Sequence, residues 1–218
     1  MKGHGDEPGF SPFPFHIPRQ LIHAFRQLDV DPVLVGGGVV EVWTGERDGV
    51  FKTSDLDFVG PDSLTANSIH LLGLEGVEGG DVVGSRHVLV EGVPVEFPTG
   101  PLGVGDAYLD TRESTVVVPT ISGDMIRCLR PEACVLDRLA TVAFEFGHFE
   151  QYIQALAVAV AQCNQPGWSD PWMEVTAKKA RLHRIWSFMK AELESGQPQT
   201  ERLDEAMGLG WDPIGYHP

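Results

Sequence analysis

The chain has 218 residues, 42% hydrophobic and 22% charged, a composition that fits a folded protein and excludes long disorder. Lys and Arg number 16 against 31 Asp and Glu, a net charge of −15. That balance excludes non-specific coating of DNA, which needs clustered cations, but not a small anionic substrate that arrives with a metal ion. A chain of this length buries roughly 70% of its unfolded surface, so it needs no disulfide or metal staple.

Cys128, Cys134 and Cys163 are odd in number, lack CxxC spacing and sit among apolar residues. They are expected to be buried free thiols, which suits a reducing cytosol. Residues 1–15 carry one Lys and no apolar run, unlike a signal peptide. The longest apolar stretch, residues 155–161, is too short to span a membrane. The expectation is a soluble, cytoplasmic protein.

In chain order, residues 1–17 hold Pro8, Pro12, Pro14 and several glycines and read as an irregular lead-in. Pro18 opens a helix with Leu21, Ile22, Phe25 and Leu28 at helical spacing, and Asp31-Pro32 ends it. Val33-Leu34-Val35 reads as a buried strand running into Gly36-Gly37-Gly38. Residues 39–43 look like the start of a helix after those glycines, and residues 44–52 like a loop. Leu56, Phe58 and Val59 mark a second strand around two acids.

A helix is expected over residues 64–74, capped by Asp62 or Ser63, and a loop over the glycine-containing residues 75–84. Residues 87–90 and 93–97 read as a hairpin turned by Glu91-Gly92. Residues 115–118 are a further strand, and no strand is expected after Val118. Residues 132–146, 150–162 and 172–194 read as helices, and the tail from Gly208 as irregular. The expected class is α/β (α+β): a mixed sheet flanked by helices, then a C-terminal helical region. The expected organisation is a lead-in at 1–17, an α/β core at 18–128 and a helical region with an irregular tail at 129–218.

The chemistry concentrates in two segments: Val33-Leu34-Val35-Gly36-Gly37-Gly38 and Thr53-Ser54-Asp55-Leu56-Asp57-Phe58. Residues two apart in a strand share a face, so Asp55 and Asp57 present two carboxylates together while Leu56 and Phe58 pack on the other side. Like charges that close repel unless a cation sits between them. Mg²⁺ (or Mn²⁺) suits the pair, because it takes carboxylate oxygens and keeps positions open for phosphate. The alternative is an edge strand with both acids in water.

A buried strand followed by glycines lets backbone amides approach a phosphate, and a helix beginning there adds its positive end. The alternative is a tight strand-to-helix turn. Glu96, alternating with Val95 and Phe97, joins the same face if its strand lies beside Asp55-Leu56-Asp57. Three carboxylates can hold two divalent ions, which clamp the attacking and leaving oxygens of a phosphoryl transfer. Alone, Glu96 would be a solvated strand residue.

Val35-Gly36-Gly37, Val40, Trp43-Thr44-Gly45, Thr53 and Asp55-Leu56-Asp57, with Glu96 later, resemble the polymerase-β-type nucleotidyltransferase superfamily. They are similar to a small bacterial group related to the nucleotidyltransferase toxins of toxin–antitoxin pairs. The turn Phe97-Pro98-Thr99-Gly100-Pro101-Leu102 and the helix from Pro131 to Ala140 fit the same group. The resemblance covers residues 30–160, roughly.

It implies transfer of a nucleoside monophosphate from an NTP, ATP among the candidates, to an acceptor hydroxyl. That acceptor would be an RNA end, a protein or a small molecule. The resemblance assigns Gly36 and Gly37 to the triphosphate, Asp55 and Asp57 to both metal ions, and Glu96 to the attacking hydroxyl. Thr53 and Ser54 fall beside the nucleotide.

Lys52, just before Thr53, and Arg47 further back are cations that meet phosphate or are simply solvated. Arg138 either faces phosphate at the cleft edge or pairs with Asp137 on its own helix. Residues 171–190 carry Lys178, Lys179, Arg181, Arg184 and Lys190 against Glu174, a face for an RNA end or for solvent. Trp168, Trp172 and Trp186 nearby read as packing residues, and the eight histidines show no zinc spacing. Two rival readings stay open. One is a non-catalytic module that keeps the fold to bind a nucleotide or a protein. The other is a structural or antitoxin-like protein.

Overall fold

Helix α1 (Arg19–Gln27) forms where the apolar spacing puts it, burying Leu21, Ile22, Ala24 and Phe25. It ends as the Val30 N–H bonds the Phe25 carbonyl, with Asp29 in the left-handed conformation (φ 53°). The computed structural model describes residues 9–45, 53–60, 78–82, 85–98, 100–144 and 149–196. The helix expected at 64–74, the tail from Gly208, Arg47 and Lys52 all lie outside these residues.

Strand β1 (Val33–Val35) passes directly into helix α2 (Gly36–Thr44). The glycines form the first turn of α2; they do not precede it, as the sequence had suggested. Gly36 takes φ +69° to make the abrupt change from strand to helix, and Gly45 closes α2 at φ +73°. Trp43 is fully buried; its indole N–H donates to the Leu129 carbonyl at 3.0 Å, and its own carbonyl accepts from Gln162 Nε2 at 3.0 Å.

Among the described residues the main sheet has seven strands: β2 (Leu56–Val59), β3 (Glu78–Val82), β4 (Ser85–Val90), β5 (Val93–Glu96), β8 (Thr115–Pro119) and β9 (Met125–Leu129) join β1 in the order β3-β4-β5-β2-β1-β9-β8. The sheet is mixed: β1 runs antiparallel to β2 and parallel to β9, and β2 runs parallel to β5. The β4–β5 hairpin is the expected one, with Glu91 and Gly92 both at positive φ, the geometry that suits a two-residue turn.

Two expectations fail here. Residues 78–82 are a strand, although their glycines suggested a loop; pairing along β4 supplies what propensity lacks. β9 is a strand after Val118, where none was expected. Its segment Met-Ile-Arg-Cys-Leu hides the pattern because Arg127, in mid-strand, bonds Asp31 and Thr115 outside the apolar face.

Between β5 and β8 lie a small hairpin, β6 (Gly103–Val104) with β7 (Ala107–Tyr108), and a short helix α3 (Thr111–Ser114) capped by Asp110. After Leu129, every described element is a helix: α4 (Pro131–Phe144), α5 (Phe149–Gln162), α6 (Asp170–Lys179) and α7 (His183–Ser195). The single helix expected over 172–194 is two, because Arg181 adopts φ 58° and the Leu182 N–H turns back to the Ala177 carbonyl. Lys178, Lys179, Arg181 and Arg184 are exposed around that break.

The sheet and the C-terminal helices share one hydrophobic core, from Phe15 through Leu34, Phe58 and Leu136 to Met189. Arg130 ties several parts together. It pairs with the fully buried Glu132 at 2.6 and 2.8 Å, donates to the carbonyls of Glu113 and Gly167, and lies between the rings of Phe10 and Trp172. Glu132 also accepts the Ser169 N–H at the start of α6.

Candidate active site

Register sorts the side chains of the central strands onto two faces. Leu56 and Phe58 share one face with their partners Val95 and Leu34, and with Cys128 beyond; all are buried. Phe25 of α1 covers this face, edge-on to Phe58 at 5.1 Å. Asp57 therefore points to the opposite face, together with its partners Glu96 on β5 and Val35 on β1. Asp55, two residues earlier at the bend before β2, lies on the Asp57 side; both acids are half-buried.

The start of α2 presses against these acids. A Cβ on Gly36 would land on Asp57 Oδ2, and one on Gly37 would come within 2.8 Å of Thr53 Oγ1. The bare backbone of both glycines is thus required by the site's own side chains. Thr53 donates its hydroxyl to Asp55 Oδ1 at 2.9 Å and its backbone N–H to Glu41 Oε1 of α2 at 2.6 Å. Ser54 is exposed at the bend. Val35, the residue before α2, offers its helix no side-chain cap, and the first turn holds no acid.

Asp57 is the electrostatic centre. Its pKa is pushed up from the usual 3.8 to about 7, first by burial, then by the negative charges of Asp55 and Glu96. Arg138 of α4 opposes that shift and Asp137 adds to it, so both act at this site. Arg138 is mostly buried and holds Asp137 Oδ2 through Nε at 3.1 Å and Nη2 at 2.6 Å. Of the two sequence readings of Arg138, the structure shows the pair with its helix neighbour Asp137, and its charge also acts on Asp57.

The three cysteines are unpaired. Cys128 and Cys134 are buried and Cys163 half-buried, and burial pushes all three thiols up, the opposite of what a nucleophile needs. Among the described residues, no group of three or more His, Cys, Asp or Glu side chains is gathered as a ready-made metal cage. Mg²⁺ does not require one, since it is commonly held by one or two carboxylates with substrate phosphate completing its shell. Asp57, raised first by burial and then by the charges of Asp55 and Glu96, has a carboxylate whose charged form a hard divalent cation would favour.

Sequence reasoning missed Glu41 and the effect of Asp137 at this site. The signal for Glu41 was a lone acid in the apolar run Val39-Val40-Glu41-Val42-Trp43. Asp137 gave no signal beyond its adjacency to Arg138.

No protein-family profile and no curated protein sequence matches this chain. Solved structures similar to it in fold include the antibiotic-resistance factor ANT(2'')-Ia in solution, at 13% identity and a TM-score of 0.46, over 81% of this chain and 92% of that one. ANT(2'')-Ia in complex with adenylyl-2''-tobramycin is similar at 15% identity and a TM-score of 0.49, over 74% and 93%. An antigenic nucleotidyltransferase-like protein from Paracoccidioides brasiliensis is similar at 15% identity and a TM-score of 0.46, over 84% and 95%. These likenesses concern the fold alone.

Proposed function

We propose that this protein is a metal-dependent nucleotidyltransferase that moves a nucleoside monophosphate from an NTP to an acceptor hydroxyl. The observation that carries the proposal is the convergence at Asp57. Strand register puts Glu96 beside it, Asp55 shares its side, and the glycine turn of α2 closes over it. A carboxylate raised to about 7, first by burial and then by two neighbouring acids, is costly to the fold in its charged form and gains a purpose when a cation joins it.

Asp55 and Asp57 would hold Mg²⁺ or Mn²⁺. When bound, the ion supplies the positive charge that an acidic protein otherwise lacks for the triphosphate. The first amides of α2 would donate to phosphate oxygens near Gly36 and Gly37, with Thr53 and Ser54 alongside. Arg138 would face the phosphates from α4. Glu96 would orient the acceptor hydroxyl and accept its proton as the oxygen attacks the α-phosphorus. The bond from that phosphorus to the bridging oxygen breaks, and pyrophosphate leaves. Among the described residues no helix is long and apolar enough to cross a membrane, and the free thiols fit a reducing compartment.

The test is incubation of the protein with Mg²⁺, each α-labelled NTP, and RNA, protein or small polyhydroxylated acceptors. Pyrophosphate release with label on one acceptor class is the expected result. Asp57→Asn and Glu96→Gln should each lower the rate about 100-fold or more. A folded protein that binds no NTP and transfers no label with any acceptor class would refute the assignment.

A further inference from the structure

Glu41 sits in the most apolar stretch of α2 and is 8% exposed, between Val40 and Val42, which are fully buried. Placing a carboxylate there is unfavourable unless hydrogen bonds compensate it. Its Oε1 accepts the Thr53 N–H at 2.6 Å, a short bond of the charge-assisted kind. Thr53 precedes β2 and takes no part in its ladder, so no strand pairing holds it. The contact from α2 does. With its backbone fixed, Thr53 directs its hydroxyl to Asp55 Oδ1 at 2.9 Å. Gly37 leaves the space that the Thr53 side chain fills: a Cβ there would lie 2.8 Å from Oγ1 and 3.1 Å from the Thr53 Cβ.

The three contacts form one chain of support, from α2 through Thr53 to Asp55. Asp55 itself lies at a bend, outside the ladder that orients Asp57. Its carboxylate would turn freely without a partner. With the Thr53 hydroxyl on Oδ1, Oδ2 and the second lone pair of Oδ1 remain for a ligand. Groups that hydrogen-bond a ligating carboxylate commonly change metal affinity when removed.

We propose that Glu41 is a positioning residue: acting through Thr53, it fixes the Asp55 carboxylate in the orientation that receives a divalent cation. This inference rests on reading Asp55 and Asp57 as cation ligands, and it adds a requirement which that reading alone does not make.

The experiment is calorimetric titration of the metal-free full chain with Mn²⁺ alone, with no nucleotide present, alongside thermal melting. Four variants are compared with the wild type. Thr53→Val removes only the hydroxyl, and Thr53→Ser restores it. Glu41→Met removes the acceptor at similar volume, and Glu41→Gln keeps a carbonyl oxygen for the Thr53 N–H. Thr53→Val and Glu41→Met should weaken Mn²⁺ binding about 10- to 100-fold, while Thr53→Ser and Glu41→Gln stay near wild type. Thr53→Val should melt within a few degrees of wild type, which separates positioning from general stability. Wild-type affinity in Thr53→Val would overturn the inference and leave the metal site standing. No Mn²⁺ binding by the wild type would overturn the metal reading and this inference together.

Discussion

Asp57 and Glu96 are direct register partners across the parallel strands β2 and β5, so strand pairing alone sets their carboxylates on one face of the sheet. Neighbouring strands lie about 4.8 Å apart, which leaves the two acids within strong mutual repulsion. With Asp55 on the same side, the repulsion is built into the fold, and it has consequences that can be measured.

The first concerns stability against pH. Asp57 titrates near 7 in the folded protein and near 3.8 unfolded, so between those values the folded state binds the extra proton. Stability of the metal-free protein should therefore fall as pH rises from 4 to 7 and level off above. The shift bounds the effect at about 4 kcal/mol, and solvent at this half-buried site lowers it to roughly 1–3 kcal/mol. Asp57→Asn should flatten the profile and exceed the wild type by that amount at pH 8. Urea denaturation at stepped pH checks it; identical profiles for the two proteins would contradict the assignment.

Cation binding should carry a proton signature. A divalent ion favours the charged form of Asp57, so binding near pH 7 expels the proton held there. Mg²⁺ titrations at pH 7 in buffers of different ionisation enthalpy should give different heats, and at pH 9 the same heat. Asp57→Asn should lose both the binding and the buffer dependence. A wild-type heat independent of buffer at pH 7 would mean that Asp57 does not meet the ion.

Two glycines provide a matched pair. Gly36 and Gly92 both have positive φ, +69° and +80°, but a Cβ on Gly36 meets Asp57 while one on Gly92 meets nothing within 4 Å. Both Ala substitutions should cost about 1–2 kcal/mol of backbone strain. Gly36→Ala should in addition displace Asp57 and abolish Mg²⁺ binding, whereas Gly92→Ala leaves binding intact. Calorimetry on the two variants distinguishes strain from loss of the site.

The Arg130–Glu132 pair should matter for stability. Glu132 is fully buried and accepts from Arg130 and from the Ser169 N–H. Glu132→Ala leaves a partly buried guanidinium without its counter-charge and should cost about 2–4 kcal/mol. Chemical denaturation measures it; a loss below 1 kcal/mol would show that the carbonyls of Glu113 and Gly167 suffice for Arg130.

Much of this molecule was legible in short stretches of sequence. The Glu91-Gly92 hairpin and α1 follow from local periodicity and turn chemistry, which depend on residues a few places apart, whereas Asp55, expected in one strand with Asp57, lies at a bend before β2. The two glycines marked the strand-to-helix junction for the same reason. That locality explains the failures too. Residues 78–82 have poor strand propensity and pair only because β4 lies beside them. β9 was hidden by Arg127, whose partners Asp31 and Thr115 come from elsewhere in the chain.

The candidate site divides the same way. Its acids could be picked out one by one, since an acid alternating with buried apolar residues is visible in sequence. That Glu96 stands opposite Asp57, that Arg138 and Asp137 reach it from α4, and that Glu41 supports Asp55 through Thr53 were decided by the tertiary structure. Strand order, register and helix packing set these relationships. They arise from burying one shared core, whose energy is spread over the whole chain and leaves no local mark at the residues it brings together.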